Sequence, residues 1–160
     1  MTLADALDPS TDMFWRHVGT AFLCGAMIGL ERQVRGKVAG MRTSILITLG
    51  TSYFVSLGAA MVPNNVDPTR VLGQVVTGIG FLGAGVILAR GDRIVGVTTA
   101  AVIWVLASIG SLIGAGHLQA AIVATLLTLL VLVGVEGVEK LLLRKSIARG
   151  SGVYGAIDTE

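Results

Sequence analysis

Glu31-Arg32-Gln33, followed by Arg35, Gly40, Arg42 and Thr43, is a dense group of polar side chains at the edge of an apolar stretch. On a helix, Glu31 and Arg35 stand four residues apart and can pair. Arg42 falls where a second helix should begin, near Thr43. A helix N-terminus offers free N–H groups and the positive end of a dipole, so it favours anions. A guanidinium there is unfavourable unless an anion, or Glu31, compensates it. Two chemistries therefore stay open for this segment: a basic loop whose charges pair among themselves, or an anion or lipid-headgroup site. Asp92 and Arg93 form a second short polar segment, either a charged turn or a partner for the loop carrying Arg32 and Arg42. Thr98, Thr99 and Trp104 open the next apolar run. Threonine hydroxyls in such a run bond their own helix backbone or a neighbouring helix. An indole N–H about two turns in needs an acceptor of its own.

Other chemistries are harder to place. Gly78-x-Gly80-x-x-Gly83 has the letters of a dinucleotide fingerprint, but that motif needs a preceding strand and an acid about 20 residues on. Here it lies inside an uncharged run, and positions 98–108 hold no acid. There is no His/Glu zinc spacing, nucleophile elbow or Walker A motif, so catalysis and an organic cofactor are not expected. Cys24 is the single cysteine, read as a small packing residue. Whether any metal binds is left open. No apolar run carries an acid at its middle, where an ion pathway would normally show one, and magnesium prefers an octahedral oxygen shell. The net charge of +2 comes from loops rather than a basic stripe on a soluble domain, so nucleic acid is not an expected partner.

The elements that must carry these residues are apolar and long. The chain is 53% hydrophobic and 14% charged, against about 25% charged in soluble domains. Uncharged runs cover residues 17–30, 43–66, 71–89, 94–135 and 150–157. A span takes about 20 apolar residues. The fourth run is too long for one span and divides at Gly114-Ala115-Gly116-His117. Residues 14–30, 44–62, 71–89, 94–113 and 118–135 then predict an all-α, polytopic bundle of five transmembrane helices in a lipid bilayer. Residues 1–13 form an N-terminal segment outside, 14–142 the transmembrane domain, and 143–160 a polar tail. Ten of the twelve Lys and Arg fall on one side of this arrangement. By the positive-inside rule the N-terminus is outside and the C-terminus cytoplasmic. His17 and His117 then lie toward the outer side.

Small residues predict how the helices meet, because they let backbones approach in a membrane. In the third helix Gly73, Gly80, Gly83 and Ala84 share one face, with Gly78 and Gly85 roughly opposite. Two such faces predict a central position, with Gly80 and its neighbours buried. In the fourth helix Ala100, Ala107, Ser111 and Gly114, with Trp104 among them, form a small face. The bulky arc of Val102, Val105, Leu106, Ile109, Leu112 and Ile113 is expected to meet lipid. Gly25 and Gly29 form a GxxxG pair on the first helix, and the fifth helix should be peripheral. A homodimer through one of the small faces is a further expectation.

Four segments together resemble the MgtC/SapB family: Gly29-Leu30-Glu31-Arg32-Gln33; Ala39-Gly40-Met41-Arg42-Thr43; residues 78–87 with their glycines; and Val97-Thr98-Thr99-Ala100-Ala101 with Trp104, Gly110 and Gly114. They occur in order from about Phe14 to Leu142. Met41 stands where leucine is usual, Ser44 where histidine is common and Val97 where leucine is common. The resemblance implies a bacterial inner-membrane protein linked to magnesium homeostasis, growth in low magnesium and virulence. It also implies regulation of other membrane proteins, such as the ATP synthase or ion-uptake systems. A small magnesium or other cation transporter is the competing expectation. The length resembles the shorter SapB-like members, which lack an added cytoplasmic domain.

Overall fold

The computed structural model describes residues 6–61, 69–90 and 93–150. Among them are five α-helices: α1 (Asp12–Val34), α2 (Met41–Met61), α3 (Thr69–Gly85), α4 (Val97–Gly114) and α5 (Leu118–Gly150). A two-stranded antiparallel hairpin, β1 (Leu88–Arg90) with β2 (Arg93–Val95), joins α3 to α4. Three helical segments are long and apolar enough to cross a membrane: α2, α4 and Leu118–Val135 of α5. At 17 residues, α3 reaches about 26 Å, just short of the roughly 30 Å hydrocarbon core. Two compact units are delimited, residues 1–126 and 127–160.

Local chemistry sets the helix ends. Thr11 caps α1 by accepting from the Phe14 amide at 3.3 Å. Its C-terminus closes with a left-handed Gly36 (φ +65°). There Lys37 N–H bonds Arg32 C=O and Gly36 N–H bonds Gln33 C=O, both at 3.0 Å, the paired pattern of a Schellman cap. The same device closes α4. Gly116 (φ +86°) lets its own amide reach Ile113 C=O and that of His117 reach Leu112 C=O. The chain thus reverses into α5 within the Gly114–His117 segment expected to divide the long apolar run.

Two boundaries move at the hairpin. The third helix stops at Gly85 rather than 89, and the fourth begins at Val97 rather than 94, because residues 88–90 pair with 93–95 instead of extending the helices. The register is Leu88↔Val95, Ala89↔Ile94 and Arg90↔Arg93.

The centre of the first unit is α2, not α3. The buried face of α2 is Ser44, Thr48, Thr51, Ser52, Val55 and Ser56, and it takes α1 on one side and α4 on the other. A Cβ placed on Gly25 would lie 2.7 Å from Ile45 Cα, and one on Gly29 2.5 Å from Met41 Cα. On the α4 side, a Cβ on Gly110 would lie 2.6 Å from Thr48 O, and one on Gly114 2.5 Å from Ser52 O. Hydroxyls tie these contacts. Thr48 Oγ1 donates to Ala21 C=O at 2.8 Å, and Ser56 Oγ donates to Gly114 C=O at 3.1 Å.

The bulky arc of α4 is core instead of facing lipid as expected, and it shares the interior with Ala107 and Gly114 of the expected small face. Val102, Leu106, Ile109 and Ile113 are buried, together with Thr99, Ile103, Ala107, Gly110 and Gly114. Trp104 is 50% exposed. Gly110 and Gly114 bring α4 close onto the hydroxyl face of α2, and the buried bulky residues are core rather than lipid contacts. In α5, Ala121 and Thr125 are buried, while Ile122, Val123 and Leu126 are exposed. Within the second unit the helix runs on to Gly150 through the start of the expected polar tail, and Leu127, Leu130, Val131 and Val133 are exposed.

Candidate functional site at the basic end of the bundle

The last turn of α1 carries Glu31 and Arg32 off the apolar stretch. The Schellman cap then turns the chain so that Gln33 Oε1 accepts the Met41 amide at 3.3 Å, capping the start of α2. Gly40 sits against Gln33, where a Cβ would be 3.3 Å from Oε1. Through this connection the ends of α1 and α2 stay together, and Thr99 of α4 comes alongside.

Arg32 is 3% exposed, and its Nη2 donates to Thr99 Oγ1 at 3.2 Å. The Glu31 carboxylate is also buried, with a side chain 8% exposed. Arg35 Nε stands 2.7 Å from Glu31 Oε1, and Arg32 Nη1 stands 4.0 Å from Oε2. Neither carboxylate oxygen receives a well-aligned hydrogen bond, and Arg32 Nε has no acceptor. The arrangement is Coulombic: two guanidiniums around one carboxylate, in surroundings where charges attract more strongly than in water. Burial raises what is at stake, since removing Glu31 would leave the buried Arg32 charge uncompensated at a cost of about 3–5 kcal/mol, whereas removing Arg32 leaves Glu31 its Arg35 partner.

The sequence-derived residues divide into two groups. Glu31, Arg32, Arg35 and Thr99 come together, and the Glu31–Arg35 pair forms at i,i+4. Arg42, Thr43 and Thr98 are exposed, and Arg42 makes no ion pair with a described carboxylate. Glu31 therefore does not compensate Arg42. Asp92 lies outside the described residues. Trp104 belongs to a different place, a 580 Å³ apolar cavity shared with Leu72, Ile79 and Leu112. The link from Arg32 to Thr99, 67 positions apart, was not anticipated; both residues were singled out, but no local spacing joins them.

The small residues also divide. Gly25, Gly29 and Gly114 lie against neighbouring backbone, and Ala107 is buried. Gly83 meets Ala100 of α4, where a Cβ would be 3.7 Å from the alanine Cβ. Gly78, Gly80 and Gly85 have no neighbour within 4 Å of a Cβ position, so the expectation that they seat α3 at the centre of this chain is not met. The buried Ser/Thr face of α2 was missed altogether. Its signal was present as hydroxyl residues at 44, 48, 51, 52 and 56, a helical spacing in an otherwise apolar run.

The charged α1 end and α4 segments lie within the stretch that matches a family model, that of the MgtC family, over residues 18–141. The chain belongs to the MgtC family. It is 50% identical over 124 residues to the Escherichia coli (strain K12) protein named "Putative magnesium transporter YhiD", covering 73% of this chain and 57% of that one. "Protein MgtC" of Brucella abortus (strain 2308) is 48% identical over 105 residues, covering 66% of this chain and 44% of the relative. "Protein MgtC" of Salmonella typhimurium (strain 14028s / SGSC 2262) is 44% identical over 109 residues, covering 68% and 46%. The chain thus spans about half the length of these relatives. No solved structure matches it. Family and apolar helices together make this MgtC-family chain a multi-pass membrane protein.

Proposed function

We propose that this chain is a non-enzymatic regulator in the bacterial inner membrane. It is tied to magnesium homeostasis and to low-magnesium or virulence adaptation, and it acts on partner membrane proteins. The observation that carries this reading is the state of Glu31. Its buried carboxylate already faces Arg35 at 2.7 Å and Arg32 at 4.0 Å. A divalent cation approaching Glu31 would meet two guanidiniums first, and hard-cation sites are built from several oxygen ligands. The site resembles a structural clasp at a helix junction more than a cation port. In the orientation we adopt, with the N-terminus outside and the C-terminus cytoplasmic, this clasp and the exposed Arg42 face the cytoplasm, where a partner's loops can reach them.

The name of the Escherichia coli relative favours a second reading, a small magnesium transporter. Purified protein in liposomes separates the two. The regulator reading expects no magnesium flux above protein-free vesicles, together with a membrane protein that co-purifies from native membranes and is lost in Arg42→Glu. Magnesium flux that disappears in Glu31→Gln overturns it in favour of transport.

A further inference from the structure

A groove of about 670 Å³ runs between α2 and α3, floored by Ile103 of α4. Its walls include Leu46, Gly50 and Phe54 on α2 and Val75, Gly78 and Leu82 on α3. Nothing lies within 4 Å of a Cβ position on Gly50 or Gly78, so these two glycines leave the space between the walls unfilled. The groove is closed at one end, where α2 and α3 touch: a Cβ on Gly58 would lie 2.5 Å from Val71 Cγ2. At the other end it reaches Thr43 and Val86, beside Arg42. The space is therefore a wedge between two splayed helices, shut at Gly58–Val71 and continuing to the basic end of the bundle.

Length decides between occupants. From Thr43 to Phe54 the α2 wall extends about 17 Å, and from Val71 to Val86 the α3 wall extends about 22 Å. A transmembrane helix of a second copy crosses a core of about 30 Å and would run into the Gly58–Val71 contact. A lipid tail entering from the basic end needs only its own leaflet, about half that depth. Charge agrees with this occupant. Arg42 is exposed beside the mouth and makes no ion pair with a described carboxylate. Thr43, the next residue, lines the groove itself.

We propose that the α2/α3 wedge is a phospholipid site, holding one acyl chain between Gly50 and Gly78 while Arg42 takes the phosphate of an anionic headgroup. The acyl chain keeps the two helices splayed, and its headgroup supplies Arg42 with an anion that no described carboxylate provides.

Native mass spectrometry of the full chain in detergent, titrated with phosphatidylglycerol or phosphatidylcholine, tests this. The wild-type protein should retain one phosphatidylglycerol per chain. Gly78→Leu puts bulk into the wedge at a position where a Cβ meets nothing within 4 Å, and should weaken phosphatidylglycerol binding by at least about tenfold, the equivalent of two or so lost methylene contacts. Arg42→Gln should cost about fivefold for phosphatidylglycerol, the worth of one basic residue at a membrane surface, and leave phosphatidylcholine unchanged. Gly80→Leu, an equal bulk at a position that does not line the wedge, should bind like wild type. Thermal unfolding near the wild-type temperature in all three variants excludes misfolding as the cause. Unchanged lipid retention in folded Gly78→Leu overturns the proposal, as does an Arg42→Gln protein that keeps its full preference for phosphatidylglycerol. A lipid-free dimer that Gly78→Leu dissociates overturns it too, by assigning the wedge to a second copy.

Discussion

The molecule uses glycine in two opposite ways. At the α1/α2 and α2/α4 contacts, Gly25, Gly29, Gly110 and Gly114 leave so little room that an added Cβ would stand 2.5 to 2.9 Å from atoms of the neighbouring helix. Along α3, Gly73, Gly78, Gly80 and Gly85 face open space. The α3 glycines are the denser set in sequence, and density misled: four of them within ten residues look like a packing seam. The working seam is sparser and is completed by a partner, the hydroxyl face of α2. Close approach needs small residues on one helix and something suited to meet them on the other. α2 supplies that with Ser44, Thr48, Thr51 and Ser52.

The largest test of this contrast is Gly110→Leu. Overpacking a fitted interior costs about 1–3 kcal/mol and more when backbone must move, and here the obstructing atoms include Thr48 C=O. The variant should lose its folded, monodisperse state in detergent, read by size-exclusion profile and thermal unfolding. A Gly110→Leu protein of wild-type stability would remove the distinction between the two sets.

Next is Arg32→Met, which keeps much of the side-chain volume and deletes the Thr99 hydrogen bond and the charge beside Glu31. A charge-assisted bond is worth about 1.5–3 kcal/mol, so a loss of about 2 kcal/mol is expected in chemical denaturation. Thr99→Val should reproduce part of it. If Arg32→Met costs nothing, the buried end of α1 is not a clasp.

Ser56→Ala should cost about 0.6 kcal/mol, the typical worth of an interhelical hydrogen bond in a membrane, because Ser56 bonds Gly114 C=O. A double-mutant cycle with Gly114→Ala would show coupling if the hydroxyl and the close approach act together.

Gly80→Ala has the smallest expected effect and a favourable sign, a gain of up to about 1 kcal/mol from helix propensity. A destabilisation comparable to Gly110→Ala would mean that α3 is packed against something beyond the single chain, sharpening the contrast into one between intra- and intermolecular seams.

Much of the architecture was legible because bilayer thickness imposes it. Apolar run length gave five helices, and Gly114-Ala115-Gly116-His117 marked the α4/α5 reversal because a left-handed glycine is what that turn requires. The hairpin at 88–95 was not read, since Leu88, Ile94 and Val95 extend apolar runs as readily as they form strands. At the site, Glu31–Arg35 was legible because both charges lie on one helix four residues apart. Arg32–Thr99 was not, because only the packing of α1 beside α4 joins them.

By itself, then, the sequence determined a membrane-spanning helical class and where charge accumulates, and four ordered motifs carried its resemblance to the MgtC family. The class and the charge pattern follow from composition and local spacing, because hydrocarbon leaves a chain few alternatives. Which helix is central, which face of α4 is core and which glycines touch anything were decided only by tertiary structure. In lipid both faces of an apolar helix are equally soluble, so hydropathy carries no inside or outside, and the choice falls to shape and hydrogen bonding between specific pairs of helices.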